Sequence, residues 1–322
     1  MKAITYQEYG PAEVLRYSDV EKPAVGDAEV LVQVRAASIN FGDRAAMHGI
    51  PSIMRLAFGL RRPKATILGR DIAGVVSAVG AGVTGFGVGD EVLGEVEQKG
   101  FAEYVAVPEQ HLAAVPAGVT FEQAATLPVA GTTAVQALRL GEVAPGSSVL
   151  VNGASGGVGT FTVQLAKTLG AEATAVCSTR NADLMRSIGA DHVIDYTRED
   201  VTRGAVRYDV IVDLAGDHRI SEFRQVLKPK GRYVSSTGAG GRMLGPLPRM
   251  FAALAMSPFV RERLRVLAAK RDIADLTHLA KLVAAGKVTP VIERTYALSE
   301  AADAIRFIEA EHARGKIVLT VP

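Results

Sequence analysis

Three glycines spaced as G-x-x-G-x-x-G follow a short apolar run, a pattern that can bind a pyrophosphate. The run Val149–Val151 leads through Asn152 into this loop. Glycine has no Cβ, so the backbone can turn tightly and approach an anion, which the free N–H groups of the following helix then bind. The alternative is a glycine turn that only packs the helix on the strand. The loop residues predicted to contact a dinucleotide are Gly153, Ser155, Gly156, Gly157, Val158 and Gly159.

The residues after the next strand favour NADP(H) over NAD(H). An acidic side chain about 20 residues beyond such a loop binds a ribose 2′-hydroxyl. Here the next strand ends at Val176-Cys177-Ser178, no carboxylate follows that end before Asp183, and Asp213 lies too far along the chain. Ser178 and Arg180 instead suit a 2′-phosphate through a hydrogen bond and a positive charge. The alternative is a solvated Arg180 on a loop.

These residues need a parallel sheet to position them. From residue 123 onward, apolar strands alternate with helical segments, which predicts an α/β doubly wound parallel sheet with helices on both faces. Before residue 122, short β-rich runs such as Glu29–Ala36 and Ile72–Val79 are separated by glycine clusters. This turn-rich pattern predicts a small β-barrel or sandwich.

Composition limits the class of protein further. The 322 residues carry 36 Lys+Arg and 34 Asp+Glu, a net charge of +2 with both signs interspersed, so nucleic-acid binding is not expected. The single cysteine, Cys177, excludes an internal disulfide and a four-cysteine zinc lobe. No apolar run reaches the roughly 18 residues of a membrane span. We therefore expect a soluble protein of a reducing compartment, the cytoplasm.

Several further motifs, in order along nearly the whole chain, resemble the medium-chain dehydrogenase/reductase superfamily in its zinc-free quinone oxidoreductase branch. They include Ala37–Asp43 (ASINFGD), Leu68–Val76 (LGRDIAGVV), Leu127–Ala134 (LPVAGTTA) and Gly315–Leu319 (GKIVL). The resemblance implies a Rossmann sheet plus a GroES-like β-barrel catalytic domain. The expected domains are residues 1–122 (catalytic, first part), 123–271 (dinucleotide-binding) and 272–322 (return to the catalytic domain).

The zinc ligands of the related alcohol dehydrogenases are not matched. Asn40 stands where those enzymes have a cysteine, and Gly69-Arg70-Asp71 replaces their Gly-His-Glu. A catalytic zinc needs about three nitrogen or sulfur ligands, and the six histidines show no paired spacing. We expect no metal site, with an Arg70–Asp71 ion pair filling the vacated position.

The resemblance also implies roles for individual residues. Asn40 and Asp43 are expected at the nicotinamide end of the cleft as catalytic residues, with Asn40 also contacting cofactor; the alternative is that both cap a helix starting at Gly42. Lys316 reaches the cofactor or ends a surface turn. The remaining cofactor contacts implied are Thr133 at the nicotinamide-side phosphate, Tyr196 at the adenine or 2′-phosphate, and Ser236 and Gly238 near the nicotinamide.

Two segments depart from simpler members of the branch, residues 49–64 and 240–265. The second is rich in Met and Phe, which suits the wall of a pocket for a bulky apolar substrate. The alternatives are core packing, a subunit interface and a peripheral membrane contact. The residues predicted to line the substrate pocket are Met47, Arg70, Met250 and Phe251. A strand near residues 265–270 implies a homodimer, as in the family.

The chemistry that remains without a metal is hydride transfer to an electrophilic acceptor. Zinc supplies the Lewis acid that makes an alkoxide from an alcohol near neutral pH. Quinones and α,β-unsaturated carbonyls delocalise the incoming charge themselves, so they need mainly orientation and exclusion of water. We expect an NADPH-dependent quinone or enone reductase. The alternatives are an enoyl-thioester reductase and a non-catalytic NADPH-binding redox sensor.

Overall fold

The computed structural model describes residues 1–236, 243–245, 247–311 and 313–322. Their contacts divide the chain into two compact units. The first comprises residues 1–132, 271–286 and 290–322, and the second comprises residues 133–270 and 287–289. The boundary follows Thr132 rather than residue 122 because the helix Phe121–Ala125 packs on strands Glu29–Ser38 and Asp71–Val79 of the first unit.

The helices and strands alternate along the second unit, whereas strands predominate in the first. In chain order they are β1 (Lys2–Thr5), β2 (Arg16–Asp19), β3 (Glu29–Ser38), α1 (Phe41–His48), α2 (Arg55–Phe58), β4 (Asp71–Val79), β5 (Glu91–Glu95), β6 (Tyr104–Pro108), β7 (Leu112–Ala114), α3 (Phe121–Ala125), α4 (Thr132–Leu140), β8 (Ser148–Asn152), α5 (Gly157–Thr168), β9 (Glu172–Cys177), α6 (Ala182–Ser187), β10 (His192–Asp195), β11 (Tyr208–Asp213), α7 (Ile220–Phe223), β12 (Leu227–Ser235), α8 (Leu247–Met256), β13 (Arg263–Val266), α9 (Ile273–Ala284), β14 (Ile292–Ala297), α10 (Ala301–Glu311) and β15 (Lys316–Thr320).

The first unit is built around a mainly antiparallel sheet in the order β14-β15-β3-β4-β5-β7, with β6 also paired to β3. A second small sheet pairs β1 with β2. Apolar side chains of β3 alternate with more exposed residues, and Val30, Val32 and Val34 are fully buried in the core. This agrees with the strand predicted there from the β-rich run Glu29–Ala36.

Strand register brings three polar residues to one end of this sheet. In the antiparallel pairing of β3 with β4, Ser38 faces Asp71. In the pairing of β4 with β5, Asp71 faces Glu95. β15 pairs with the same end of β3, with Val318 opposite Ser38, so its first residue, Lys316, begins beside the start of α1.

The second unit contains a six-stranded sheet in the order β10-β9-β8-β11-β12-β13, with every pairing parallel. This is the 3-2-1-4-5-6 order of a doubly wound sheet, and the strand order reverses between β8 and β11. The predicted fold class is confirmed. Ligands of such sheets bind outside the carboxyl ends of the strands at that reversal.

Some elements differ from the prediction. After β11 the alternation of strands with helices weakens: the chain forms only the four residues of α7 and a 3₁₀ turn before β12 begins at Leu227. The helix α8 was not predicted, although Leu247, Met250, Phe251 and Leu254 have helical spacing. Within the described residues, no helix has the length and apolar character needed to cross a membrane.

Candidate functional site

The turn between β8 and α5 presents backbone N–H groups to an anion. β8 ends at Asn152, and α5 begins at Gly157 after the N-cap Gly156, whose position offers no side chain to cap the helix. The first N–H groups of a helix lack partners within it and carry partial positive charge. All six loop residues predicted from the sequence lie in this turn or in the first turn of α5. Their contact with a dinucleotide stays a prediction.

Gly153 and Gly159 fix the shape of the turn. Gly153 has a φ of +80°, in the region that favours glycine. A Cβ at Gly159 would lie 2.3 Å from the carbonyl oxygen of Gly153 and 2.5 Å from that of Ala154. At Gly156 the nearest atom would be 3.5 Å away, which is ordinary contact. Gly159 is therefore required for close packing, as in the alternative of a glycine turn that only packs the helix on the strand. The N–H groups at the start of α5 nevertheless remain open. The turn fits a pyrophosphate.

The residues predicted to select NADP(H) lie at the carboxyl ends of β9 and β10. Ser178 precedes a 3₁₀ turn that contains the exposed Arg180, and its hydroxyl accepts from Asn181 Nδ2 at 3.2 Å. Tyr196 follows β10, and its side chain is 56% exposed. Because Asp195 pairs in register with Cys177, the two strand ends are neighbours in the sheet. The structure thus brings Ser178, Arg180 and Tyr196 to one edge.

Sequence reasoning missed a carboxylate at this edge, Asp195 from the neighbouring strand. Asp195 accepts hydrogen bonds from the Thr179 hydroxyl and from the backbone N–H and hydroxyl of Thr197. These hydrogen bonds, those from the two hydroxyls first, lower the pKa of Asp195, so it is ionised. An acidic residue reaches this position through strand pairing rather than through proximity in sequence, which is why spacing alone could not reveal it.

A buried polar network joins the carboxyl ends of β8, β11 and β12. Asp213, fully buried, accepts from Asn152 Nδ2 at 2.9 Å and from the Tyr233 hydroxyl at 2.6 Å, and it forms an ion pair with Arg249 of α8. Arg249 also donates to the carbonyl oxygen of Gly216 at 3.1 Å. The Asp213 carboxylate is thus occupied by contacts within the protein. The network anchors α8 to the sheet.

Other predicted cofactor contacts are placed as follows. Thr133 is buried as the second residue of α4. Ser236 follows β12, and its N–H donates to the carbonyl oxygen of Asp213 at 3.0 Å. Gly238 lies outside the described residues.

Cys177 is buried at the end of β9, and burial raises the pKa of its thiol to about 11. It therefore remains a protonated, unreactive thiol near neutral pH.

In the first unit, Lys316 is the centre of a buried polar cluster. Its side chain is 3% exposed, so the expectation that it ends a surface turn is wrong. The ammonium donates to Asn40 Oδ1 at 2.6 Å and to the carbonyl oxygen of Ile39 at 3.2 Å, and it lies 3.7 Å from Asp71 Oδ2. Burial lowers the pKa of Lys316, and the carboxylates of Asp71 and Asp43 oppose that change.

Asp71 is held from three sides. Ser38 Oγ donates to Oδ2 at 3.1 Å, the backbone N–H of Val129 donates to Oδ1 at 3.1 Å, and Lys316 supplies the positive charge. Burial raises the pKa of Asp71, whereas Lys316 and a hydrogen bond from Asn40 lower it. The cluster therefore contains an ion pair between Lys316 and Asp71 that is buried away from water.

Asn40 and Asp43 cap α1, which confirms the alternative considered for them. α1 begins at Phe41, one residue before the predicted Gly42, and the backbone N–H of Asn40 donates to Asp43 Oδ2 at 2.8 Å. Capping uses the backbone of Asn40 and leaves its amide side chain for other partners. The catalytic roles of both residues stay predictions.

Asp43 carries an unusual carboxyl group. It is fully buried, and its Oδ1 has no hydrogen-bond partner among the described residues. Burial first, and then the nearby charge of Asp71, raise the pKa of Asp43 to about 7, against the hydrogen bond from the Asn40 backbone and the charges of Arg70 and Lys316. This carboxyl therefore holds a proton up to near neutral pH.

The predicted Arg70–Asp71 ion pair is wrong. Arg70 pairs with Glu95 of β5 instead, and Asp71 pairs with Lys316. Arg70 precedes β4, and its side chain is 37% exposed beside Glu95, whereas Asp71, the first residue of β4, is fully buried beside Lys316. No cluster of three or more His, Cys, Asp or Glu side chains suited to a metal ion occurs in the part of the chain that the structure describes.

The residues predicted to line a substrate pocket fall in different surroundings. Met47 is wrongly predicted, since it is fully buried in the core of the first unit. Arg70 is 37% exposed beside Glu95. Met250 is half-buried on α8, and Phe251 beside it is 65% exposed. Met250 and Phe251 form the exposed apolar stripe of α8, which remains a candidate for substrate contact.

The fold and the loop together define a dinucleotide-binding α/β protein with an attached β domain. Two family descriptions match the chain: "Alcohol dehydrogenase GroES-like domain" at residues 26–117 and "Zinc-binding dehydrogenase" at residues 188–319. The NADPH-dependent alkenal/one oxidoreductase of Arabidopsis thaliana chloroplasts is 34% identical over 99% of this chain and 79% of that relative. Quinone-oxidoreductase QR1 of Triphysaria versicolor is 33% identical over 99% of this chain and 98% of its own.

A solved structure agrees with these sequence relatives. The quinone oxidoreductase of Coxiella burnetii superposes with a TM-score of 0.88 at 31% identity, covering 100% of this chain and 99% of that one. The chain therefore belongs to the medium-chain dehydrogenase/reductase superfamily, in its quinone oxidoreductase branch. The predicted family is confirmed, together with its combination of a GroES-like domain and a Rossmann sheet.

Proposed function

We propose that this protein reduces a quinone or an α,β-unsaturated carbonyl with a hydride from NADPH, without a metal ion. The observation that carries the proposal is the open turn at the start of α5, where Gly156 leaves the first N–H groups uncapped at the point of strand reversal. The names of the relatives, which act on quinones and on alkenals or enones, point to the same acceptors.

The second unit holds the dinucleotide in this proposal. Backbone N–H groups of Gly157, Val158 and Gly159 bind the pyrophosphate at the N-terminus of α5. Arg180 and Ser178 bind the 2′-phosphate, and this choice of NADPH is supported by the relative from Arabidopsis thaliana, which is named as an NADPH-dependent oxidoreductase. The bound nucleotide supplies the hydride.

The first unit supplies the polar group for the acceptor. Asn40 is rigidly placed as the N-cap of α1 and keeps an amide side chain at 9% exposure. An amide N–H aimed at the acceptor oxygen stabilises negative charge as the hydride arrives. Asp43 positions Asn40 through the hydrogen bond that it accepts from the Asn40 backbone.

Independence of zinc is part of the proposal, although one matching family description contains the words zinc-binding. The positions that carry ligands in zinc alcohol dehydrogenases hold Asn40 and Arg70 here. The neighbouring Asp71 is already neutralised by Lys316. Alcohol oxidation would need a Lewis acid, whereas quinone and enone reduction needs mainly orientation.

NADPH oxidation in the presence of a chelator tests this function. Purified protein is assayed with phenanthrenequinone, with an alkenal and with an enoyl thioester. We expect turnover of the first two that the chelator leaves unchanged. Preference for the thioester would support an enoyl-thioester reductase, and tight NADPH binding without any turnover would support a redox sensor.

Assembly and location complete the proposal. β13 is an edge strand of the described sheet, which supports a homodimer formed by pairing β13 with its copy. The single cysteine, Cys177, is free and buried, which suits the reducing cytoplasm.

A further inference from the structure

The Lys316 ammonium donates two hydrogen bonds and forms one ion pair. The hydrogen bonds go to the Ile39 carbonyl oxygen at 3.2 Å and to Asn40 Oδ1 at 2.6 Å, and the ion pair is with the Asp71 carboxylate at 3.7 Å. The side chain is 3% exposed, so water does not compete for these positions. The shortest of the three distances is the one to Asn40.

This contact fixes which way the Asn40 amide faces. An ammonium can only donate hydrogen bonds, so the atom 2.6 Å from it must be the amide oxygen. Rotating the amide by half a turn would place two N–H groups against the ammonium. That arrangement is repulsive, and burial would make it costly.

The opposite side of the amide is then necessarily a donor. Asn40 Nδ2 carries two hydrogens, and within the cluster it meets the carbonyl oxygen of Ser38 only at 3.5 Å, with a further hydrogen bond to Asp71. The hydrogen bond to Asp71 takes one N–H. The other N–H meets the Ser38 carbonyl oxygen only at 3.5 Å, the limit of a hydrogen bond, so it is the one for which a ligand oxygen can compete. At 9% exposure, Asn40 is also more exposed than the other members of the cluster, Ser38, Asp43, Asp71 and Lys316.

We propose that Lys316 is a positioning residue that locks the Asn40 amide with its oxygen inward and one N–H toward the acceptor oxygen. This rests on the proposed function, in which Asn40 donates to that oxygen. It differs from the role that the resemblance implied for Lys316, which was contact with the cofactor. The two roles separate in a kinetic experiment, because only cofactor contact changes the affinity for NADPH.

The experiment compares Lys316→Met, Lys316→Gln and Asn40→Ala, measuring kcat, the KM of the acceptor and the Kd of NADPH. Methionine removes the donor, whereas glutamine keeps an N–H without the charge. Lys2→Met is the matched control, because Lys2 pairs with Asp19 at 2.7 Å on the surface of the same unit. We expect Lys316→Met to lower kcat about 10- to 100-fold with the Kd of NADPH unchanged, since removing an oxyanion donor outright costs about 10²- to 10³-fold.

Lys316→Gln should recover part of that loss, and Lys2→Met should match the wild type. In the Asn40→Ala background, Lys316→Met should lower kcat no further, because its effect passes through the amide. An equal further loss in that background would overturn the proposal, as would a raised Kd for NADPH with kcat intact. If Lys316→Met does not fold, the same cycle is run with Asp71→Asn present, which leaves no buried charge unpaired.

The outcome also separates this inference from the proposed function. A wild-type protein that oxidises NADPH with none of the acceptors contradicts the proposed function. An active wild type whose kcat is unaffected by Lys316→Met contradicts the role of Lys316 alone.

Discussion

The Lys316 ammonium lies 3.7 Å from the Asp71 carboxylate, and both side chains are buried at the end of the first unit's main sheet. A buried carboxylate without a cation would be costly, so the pair explains how this position tolerates Asp71. The same ammonium contacts Asn40, which begins α1. Charge balance and the orientation of a polar side chain thus depend on one lysine.

Gly159→Ala tests the role of the turn between β8 and α5 in binding NADPH. The added Cβ would lie 2.3 Å from the Gly153 carbonyl oxygen, so the loop must move, and we expect the Kd of NADPH to rise at least about tenfold with a stability loss of about 1–3 kcal/mol. Isothermal calorimetry and thermal melting measure both. Gly204→Ala is the control, because its nearest atom would be 3.5 Å away. Unchanged NADPH binding in Gly159→Ala would remove the loop from the site.

Arg180→Ala tests the selection of NADPH. A charge-assisted contact to phosphate contributes about 1.5–3 kcal/mol, so the Kd of NADPH should rise about 10- to 100-fold while that of NADH changes less than about twofold. Arg186→Ala serves as the control, since Arg186 pairs with the exposed Asp183 on the same unit. Equal losses for both nucleotides would reject the assignment of Arg180 to the 2′-phosphate.

Asp43→Asn tests the buried carboxyl through stability against pH. In the folded protein the pKa of Asp43 is about 7, against an ordinary value of 3.8, so the folded state keeps a proton that the unfolded chain releases. Wild-type stability should therefore fall as pH rises from about 4 to about 7 and then level off. The variant lacks this dependence, so its free energy of unfolding should gain on the wild type across that window, by about 4 kcal/mol at most.

Chemical denaturation at several pH values measures this difference. Asp183→Asn is the control, because that side chain is 99% exposed, and its difference from the wild type should stay flat. A flat difference for Asp43→Asn as well would show that Asp43 ionises normally.

Truncation of the exposed stripe of α8 tests whether its side chains line the substrate pocket. Met250→Ala and Phe251→Ala remove apolar surface from a helix that Arg249 anchors to Asp213, so the helix itself should remain in place. We expect the KM of bulky quinones to rise about 3- to 30-fold and that of small ones to change little, since burial of one such side chain is worth about 1.5–3 kcal/mol at most. Val206→Ala, at an exposed position in the same unit, is the control. The same KM for all quinones would exclude both residues from substrate contact.

The parallel sheet could be predicted because its signals are local. Alternating strands and helices and the glycine loop each occupy short stretches of sequence, and β8, α5 and β9 appear close to their predicted positions. The helix α8 was missed because the Met and Phe content of residues 240–265 was interpreted only as a possible pocket wall, and its larger apolar residues face outward instead of forming a buried helical face.

The polar cluster around Lys316 could be predicted only in part. The resemblance indicated Asn40, Asp43 and Lys316 separately, but their contacts depend on the pairing of β15 with β3 across more than 270 residues of chain. Adjacency in sequence suggested an Arg70–Asp71 pair, but in the structure Arg70 pairs with Glu95 and Asp71 with Lys316. Partners of buried charges follow register, which a single sequence does not show.

The most direct test follows a deuterium atom from NADPH, deuterated at its transferable position, to an enone in chelator-treated protein. We predict that each NADPH oxidised places one deuterium on the β-carbon of the reduced enone and that added zinc changes neither rate nor yield. NADPH that binds without being oxidised, or deuterium transfer only after zinc is restored, would contradict metal-free hydride transfer by this chain.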